Sequence, residues 1–285
     1  MGVVLITGCS SGFGLDTAIA FAQRGDTVVA TMRNLAKSDR LEKAAADAGV
    51  DVEIVELDVV DDASVANAVA AVLERHGRID VVVNNAGVGN GGPVETQDFE
   101  TARALFETNF WGPQRVARAA LPSMRDQGSG VIINVGSLAG RVPGIMYSGM
   151  YGASKHALGT ISEAMSSELA PFGIRVVNIE PGFFATDITN NNISADETPH
   201  PAYEVDQEWS RQFFESGVAG GADPMIVATT IVDAAHNDDT PLHVPVGEDA
   251  AMYLAALEQT NSFEEWIDIG TTMIEGVAGP RPPRS

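Results

Sequence analysis

The sequence predicts an α/β fold, a doubly wound, mainly seven-stranded parallel sheet with helices on both faces. Short apolar runs alternate with helical segments from the first residues onward. The runs lack the polar alternation of a half-exposed strand, which is typical of parallel strands covered on both faces. Their regular alternation with helical segments is the pattern of consecutive βαβ units. We therefore interpret residues 1–285 as one domain.

The strands follow from runs rich in valine and isoleucine. They are predicted at residues 3–7, 27–31, 52–57, 79–83, 131–135, 174–179 and 242–246. Helices follow from apolar residues at helical spacing. They are predicted at residues 15–24, 38–48, 63–76, 97–127, 151–170 and 224–235. The first helix stops at Gly25, and Gly112-Pro113 is expected to bend the long fourth helix.

Two segments depart from this alternation. Residues 188–223 are irregular at first and then carry Trp209, Phe213 and Phe214 at helical spacing. A long excursion inside a compact domain is often functional, so we interpret it as a short helical substrate lid. Packing of these aromatic residues on the core is an equal alternative. The Pro- and Arg-rich residues 279–285 are expected to be disordered.

The charge of the chain excludes some partners. A formal net charge of −22 argues against binding to nucleic acid or to an anionic membrane. No apolar run approaches the length of a membrane span, and no secretory leader is visible. A single cysteine, Cys9, fits a reducing compartment. We expect a cytoplasmic protein without a metal site.

A glycine-rich turn joins the first strand to the first helix. The segment reads Thr7-Gly8-Cys9-Ser10-Ser11-Gly12-Phe13-Gly14. Glycines allow a tight turn and a close approach of a phosphate group to the backbone. The following helix offers unpaired N–H groups and the positive end of its dipole. The segment therefore predicts a site for the pyrophosphate of a dinucleotide.

Further motifs follow in a fixed order, and together they resemble the short-chain dehydrogenase/reductase family, which has a Rossmann-type fold. They are Asn84-Asn85-Ala86-Gly87, Asn109, Ser137, Tyr151-Gly152-Ala153-Ser154-Lys155, Pro181-Gly182 and Thr186. The resemblance implies an oxidoreductase that transfers hydride between a nicotinamide cofactor and a carbonyl or alcohol.

Tyr151 and Lys155 are four residues apart on a predicted helix and so share one face. A phenol has a pKa of about 10, and a neighbouring ammonium group favours its ionised form. The resemblance implies that Tyr151 is the general acid/base, and that Lys155 lowers its pKa and binds the nicotinamide ribose. It implies that Ser137 orients the substrate oxygen and that Asn109 supports a proton relay.

One departure from the family pattern lies in this region. Ser137 and Tyr151 are separated by one residue more than is usual in the family. We expect a bulge in residues 141–150 to absorb the extra residue, since Gly136 has no hydroxyl with which to replace Ser137. Tyr147 has no lysine four positions on and so cannot replace Tyr151.

The choice of cofactor depends on the end of the second strand. Where NAD-preferring relatives carry an acidic residue, this chain has Met32 followed by Arg33, with Lys37 and Arg40 nearby. A guanidinium group can bind a 2′-phosphate that an acid would repel. We therefore expect NADP(H) to be favoured over NAD(H). The resemblance implies that the cofactor contacts Gly8, Ser10, Ser11, Gly12, Phe13, Gly14, Arg33, Asp58, Val59, Asn85, Ala86, Gly87, Tyr151, Lys155, Pro181, Gly182, Phe184 and Thr186.

The substrate is expected to be a bulky or apolar ketone, aldehyde or alcohol. The candidate substrate residues are Val88, Met150, Phe183, Trp209 and Phe213. Two alternatives stay open: a non-catalytic NADP-binding regulator, and an epimerase or dehydratase of the related extended family. The long predicted helices favour a homodimer or homotetramer, because relatives use such helices at subunit interfaces.

Overall fold

The computed structural model describes residues 2–186, 193 and 200–283 of the chain. Its strands are β1 (Val3–Ile6), β2 (Thr27–Met32), β3 (Glu53–Glu56), β4 (Val81–Asn84), β5 (Gly130–Val135), β6 (Ile174–Pro181) and β7 (His243–Val246). They form one parallel sheet in the order β3-β2-β1-β4-β5-β6-β7. The predicted seven-stranded fold is confirmed.

Helices connect these strands over the described ranges. They are α1 (Gly12–Gln23), α2 (Asp39–Ala48), α3 (Asp62–His76), α4 (Phe99–Phe106), α5 (Gly112–Gln127), α6 (Gly149–Leu169), α7 (Glu204–Ala219), α8 (Met225–His236), α9 (Glu248–Glu258) and α10 (Phe263–Ala278). Their ends follow ordinary chemistry. Asp61, for example, caps α3 by accepting hydrogen bonds from the backbone of Ala63 and Ser64.

The sheet separates two apolar layers. Val4 and Ile6 of β1 point to the layer that contains Phe21 of α1, whereas Leu5 points to the layer that contains Met124 of α5. Successive residues of one strand are thus buried on opposite faces, which explains why the strands are apolar throughout. A third cluster, including Leu138 and Trp266, lies beyond the carboxyl end of the sheet.

The long fourth helix differs from its prediction. Helix α4 ends at Phe106, a π-helical turn covers Glu107–Trp111, and α5 begins with Gly112 and Pro113. Pro113 has no N–H to donate to the carbonyl four residues earlier, which is that of Asn109, so a regular helix is interrupted there. The deviation therefore precedes the proline and places Asn109 in the irregular turn.

The C-terminal third contains structure that the sequence analysis did not anticipate. Helices α9 and α10 follow β7, and residues 279–283 contact α7 through hydrogen bonds. The expected disorder of the tail stays a prediction, and residues 284–285 lie outside the described residues. In the predicted lid, α7 is described, and 188–192 and 194–199 also lie outside the described residues.

Candidate active site

The glycine-rich turn lies where β1 and β4 end side by side at the centre of the sheet. The side chain of Asn85 donates hydrogen bonds to the carbonyls of Thr7 and Gly8, at 2.9 and 3.1 Å. Gly8 has a φ of +74°, and a methyl group there would lie 2.8 Å from the Cα of Ala86. A side chain at residue 8 would therefore separate the two strand ends.

The same turn fits a pyrophosphate. Gly12 begins α1 with a φ of +57°, and a methyl group there would meet only Thr186, at 3.9 Å. Ser11 is the N-cap residue of α1, and its side chain makes no capping hydrogen bond. Its hydroxyl and the first N–H groups of α1 thus face open space, as an anion site requires.

A continuous cavity of about 1390 Å³ leads from this turn to α7 and α10. Most of the predicted cofactor residues line it: Gly8, Ser10, Ser11, Gly12, Phe13, Arg33, Asp58, Val59, Asn85, Ala86, Gly87, Tyr151, Lys155, Pro181, Gly182, Phe184 and Thr186. Four of the predicted substrate residues also line it: Val88, Phe183, Trp209 and Phe213. The predicted residues are thus brought to one cavity from distant parts of the chain.

Three predicted residues do not line the cavity. Gly14 is buried in α1, where a methyl group would lie 2.4 Å from both Asn85 Nδ2 and the Gly8 carbonyl. Gly14 thus permits close packing beneath the turn. Met150 lies in the first turn of α6 outside the cavity wall, and Asn109 is fully buried behind that wall.

The floor of the cavity holds Ser137, Tyr151 and Lys155. The Ser137 hydroxyl lies next to the Tyr151 phenol and opposes the rise of its pKa. The Nζ atom of Lys155 donates to the Val135 carbonyl at 2.8 Å and lies 5.9 Å from the centroid of the Tyr151 ring. A proton donor and a second hydroxyl thus share one point on the cavity surface.

Burial dominates the electrostatics of this cluster. Burial lowers the pKa of Lys155 to about 8 and raises the pKa of Tyr151, an effect that the neighbouring Ser137 hydroxyl partly offsets. Removal of the phenol from water, opposed by Ser137, sets the direction of the Tyr151 shift. The lowering of the Tyr151 pKa by Lys155 stays a prediction.

Asn109 fixes the wall beside Lys155. Its Oδ1 accepts from the Val88 N–H at 2.9 Å, and its Nδ2 donates to the Val88 carbonyl at 3.0 Å and to Ser154 Oγ at 3.2 Å. A methyl group on Gly87 would lie 3.4 Å from Asn109 Oδ1 and 3.6 Å from Lys155 Nζ. The side chain of Asn109 therefore positions the backbone that separates it from Lys155.

The loop between Ser137 and Tyr151, which is expected to hold the extra residue, contains an unusual backbone conformation. Tyr147 adopts a left-handed conformation with a φ of 57°, which is uncommon for a residue other than glycine. Its carbonyl accepts from the Gly92 N–H at 2.8 Å, which anchors the loop. Ser137 and Tyr151 line the same cavity despite the longer connection.

The predicted basic residues divide into two groups. Arg33 and Lys37 lie at the cavity next to the end of β2. Arg40 instead acts on Asp16, whose pKa is raised chiefly by burial and by Asp223, while Arg40 opposes the rise. Lys43 forms an ion pair with Asp47 on α2. Of the basic residues near the end of β2, Arg33 and Lys37 thus line the cavity, and Arg40 and Lys43 do not.

The substrate end is lined by aromatic and aliphatic side chains. The ring of Phe183 packs edge-on against Phe213, with centroids 5.3 Å apart. Trp209 and Phe213 are buried and also line the cavity, so α7 packs on the core and covers the cavity at once. Both interpretations of its aromatic residues therefore describe the same helix.

Helix α10 supplies cavity residues that the sequence analysis missed. They are Trp266, Ile267, Gly270, Thr271 and Ile274. A sequence pattern indicates this helix, because Ser262 caps it by accepting from the Glu265 N–H, and Glu265 Oε2 accepts from the Asn261 N–H. Ser-x-x-Glu before an apolar stretch is a common start of a helix.

A buried carboxylate behind the site was also missed. Glu180, the residue before Pro181, is fully buried, and its Oε2 accepts from Arg141 Nη1 at 2.8 Å. Its Oε1 accepts from Asn178 Nδ2 at 2.8 Å and lies 2.6 Å from His243 Nδ1. Arg141 follows the helical turn that begins after Ser137. Glu180 therefore joins the Ser137 turn to the end of β6.

Comparisons with known proteins agree with this geometry. The family model described as short chain dehydrogenase matches residues 2–197. A 3-ketodihydrosphingosine reductase of Bacteroides thetaiotaomicron is 36% identical over 86% of this chain and 87% of its own length. Human retinol dehydrogenase 8 is 35% identical over 84% of this chain and 79% of its own length.

Solved structures give the same result. A short-chain dehydrogenase from Streptomyces avermitilis is 36% identical, with a TM-score of 0.79 and 97% of each chain covered. Two further structures have TM-scores of 0.71 and 28% identity over 86% of this chain. They are a serine dehydrogenase complexed with NADP⁺, covered over 94% of its length, and a Brucella melitensis 3-ketoacyl-(acyl-carrier-protein) reductase complexed with NADH, covered over 96%. Among the described residues, no helix is long and apolar enough to span a membrane.

Proposed function

This chain belongs to the short-chain dehydrogenase family of oxidoreductases, and from that premise we propose that it interconverts a ketone or aldehyde and an alcohol. The observation that supports this proposal is that the Ser137 and Tyr151 hydroxyls lie next to each other in the cavity, with the Lys155 ammonium group 5.9 Å from the centre of the Tyr151 ring. This arrangement can hold a carbonyl oxygen and deliver a proton to it.

Each residue has a defined part in the proposed reaction. Ser137 Oγ donates a hydrogen bond to the substrate oxygen and polarises the carbonyl. Tyr151 Oη gives its proton to that oxygen during reduction and takes it back during oxidation. Lys155 binds the ribose and keeps positive charge near the phenol, and Asn109 holds the adjoining backbone in place. A bound nicotinamide supplies or accepts the hydride.

We propose NADP(H) as the preferred cofactor. The turn at Gly12 and the open start of α1 suit a pyrophosphate, and Arg33 and Lys37 lie at the cavity beyond β2. A 2′-phosphate placed between them would gain charge-assisted hydrogen bonds. The comparisons include both NADP and NADH complexes, so the argument for NADP depends on these two side chains.

We propose a bulky, largely apolar substrate. The cavity beyond Tyr151 is bounded by Phe183, Phe213, Phe214, Trp266, Ile267 and Ile274. Walls of this kind favour a substrate with enough apolar surface to cover them, because burial of apolar surface drives binding. The names of two relatives, a 3-ketodihydrosphingosine reductase and a retinol dehydrogenase, are consistent with this class.

We also propose that the protein is a homodimer or homotetramer. Phe99 of α4 and Trp111 before α5 are large apolar side chains with 71% and 49% of their surface exposed. A second copy would cover them. Light scattering of the purified protein tests this, and a monomer at micromolar concentration would refute it.

The decisive experiment measures NADPH oxidation with a panel of ketones graded in size, using the wild type, Tyr151→Phe and Tyr203→Phe. Tyr203 is a second tyrosine, hydrogen-bonded to Glu95 and placed outside the cavity wall, so its variant is a matched control. We expect Tyr151→Phe to lose on the order of 10²–10⁴-fold in kcat with NADPH binding retained, and Tyr203→Phe to stay active. Cofactor binding without consumption of any carbonyl would favour the non-catalytic regulator.

A further inference from the structure

The chain after α10 packs against α7. Trp209 Nε1 donates to the Gly279 carbonyl at 2.9 Å, and Arg281 donates to both carboxylate oxygens of Asp206, at 2.8 and 3.0 Å. The Arg281 guanidinium also lies 5.8 Å from the centre of a Trp209 ring. Two neighbouring residues of α7 thus contact the same short segment.

The charge pair is buried on one side only. The Asp206 side chain is 2% exposed, whereas that of Arg281 is 34% exposed. A buried carboxylate is unfavourable unless it is compensated, and the Arg281 guanidinium of the C-terminal segment contributes to that compensation. Glu275 of α10 strengthens the arrangement by accepting from the Arg281 N–H at 3.2 Å.

The same segment touches the substrate cavity. Pro282 lines it, as do Gln207, Trp209 and Ser210, which follow Asp206 in α7. On its inner side α7 is held by the contact between Phe213 and Phe183, and by Ser210 Oγ, which donates to the Met146 carbonyl at 3.3 Å. Helix α7 forms part of the cavity wall, and the C-terminal segment is bonded to it at Asp206 and Trp209.

We propose that the Asp206–Arg281 pair is a latch that holds α7 closed over the cavity and makes Arg281 a specificity-determining residue. The proposal rests on the proposed function for its effect on substrates. A bulky apolar substrate needs the wall formed by α7, whereas a small ketone contacts mainly the region of Ser137 and Tyr151. Loss of the latch therefore lowers kcat/KM for large substrates more than for small ones.

The test compares Arg281→Met with the wild type. Methionine keeps an apolar chain against Trp209 and removes the charge, and the substitution lies outside the sheet and its two apolar layers. We expect kcat/KM for a bulky ketone to fall at least ten-fold more than that for a small ketone, through KM, with the Kd of NADPH unchanged. Backbone amides of α7 should exchange hydrogen at least ten-fold faster, while those of the sheet should not change.

Two further variants complete the design. In Asp206→Leu/Arg281→Met both charges are absent, so we expect much of the selectivity and the slow exchange of α7 to return. Arg103→Met breaks an exposed ion pair with Glu100 on α4 and should change neither measurement.

Unchanged exchange in α7 together with unchanged selectivity in Arg281→Met would overturn the latch. Hydrogen exchange decides the latch even if the wild type reduces no carbonyl, a result that would refute the proposed function alone.

Discussion

The ammonium group of Lys155 lies 5.9 Å from the centre of the Tyr151 ring and donates to the Val135 carbonyl at 2.8 Å. This backbone carbonyl is the one partner of the ammonium group that the described residues show as a hydrogen bond. Burying an ammonium group with so few partners destabilises the folded state, and burial accordingly lowers the pKa of Lys155 to about 8. The folded protein would therefore be more stable with an apolar side chain in place of Lys155.

We predict that Lys155→Met abolishes turnover and stabilises the protein. The fall of the Lys155 pKa from 10.5 to about 8 means that burying the charged form destabilises the folded state. Converted into free energy, this pKa shift corresponds to a cost of roughly 3 kcal/mol. Lys155→Met removes the cost but also loses the hydrogen bond to Val135, which reduces the gain by about 1 kcal/mol. The free energy of unfolding at pH 7, measured in urea, should therefore rise by about 2 kcal/mol.

The stability gained by Lys155→Met should decrease as the pH rises. Between about pH 8 and 10.5 the unfolded chain binds the Lys155 proton more than the folded chain does, so wild-type stability rises with pH across this window. The advantage of Lys155→Met is therefore full below pH 8 and disappears towards pH 10.5. The exposed Lys43, changed to Met, is the control and should show no such trend. A constant difference between pH 7 and 10 would contradict this account.

We predict that Arg33→Ala reduces the preference for NADPH over NADH. A guanidinium group bound to a 2′-phosphate contributes about 1.5–3 kcal/mol, so the ratio of kcat/KM values should fall on the order of 10–100-fold. Arg24→Ala is matched in charge but lies after α1, at the opposite edge of the sheet from the cavity. If the ratio of kcat/KM for NADPH to that for NADH is the same in Arg33→Ala and Arg24→Ala, the argument for NADP is refuted.

We predict that Arg141→Met slows catalysis although Arg141 does not line the cavity. Its loss leaves the buried Glu180 carboxylate without its cation and frees the turn that carries Ser137. Because Arg141 is 37% exposed, the loss of stability should be about 2 kcal/mol, between the values for exposed and buried pairs.

Arg141→Lys separates positioning from stability. It keeps the charge and should restore most of kcat, while KM and the Kd of NADPH change little in either variant. If kcat stays at the wild-type level in Arg141→Met, Glu180 has no positioning role.

The sheet could be predicted from the sequence because its physical cause is local. Strands such as β1 are buried on both faces, so each residue of the run is apolar and the run is visible without knowledge of its neighbours. Helix α10 was missed for the opposite reason. Its apolar face is completed by α7 and α9 and not by the sheet, so its residues do not follow the βαβ alternation. The Ser262–Glu265 pattern was nevertheless available.

The site likewise contains some residues that the sequence predicts and others that it does not. Motif spacing identified Ser137, Tyr151 and Lys155 before the structure placed them together. The sign of the Tyr151 pKa shift could not be predicted, because burial depends on the whole cavity and not on the spacing of two residues. Glu180 and Arg281 escaped notice because a charged residue in a sequence does not reveal whether its partner lies across the fold.

We predict that Gly182→Ala weakens cofactor binding through Asp249. A methyl group on Gly182 would lie 2.2 Å from Asp249 Oδ2 and 2.3 Å from Oδ1, far inside van der Waals contact. That carboxylate accepts from the Phe183 N–H at 2.6 Å, so its displacement leaves an N–H without its partner and shifts the loop after Pro181. Overpacking of this kind costs about 1–3 kcal/mol of stability. The Kd of NADPH, measured by fluorescence titration, should rise as well.

The design of this test separates a steric clash from a general effect of alanine. Gly276→Ala is the control, because a methyl group on Gly276 meets nothing within 4 Å and alanine favours the helix α10 by about 1 kcal/mol. The double variant Gly182→Ala/Asp249→Ala removes both colliding groups. Its loss of stability should therefore be smaller than the sum of the two single losses. Additive losses would show that the substitution at Gly182 acts through some other contact, since a clash with the carboxylate cannot persist once the carboxylate is gone.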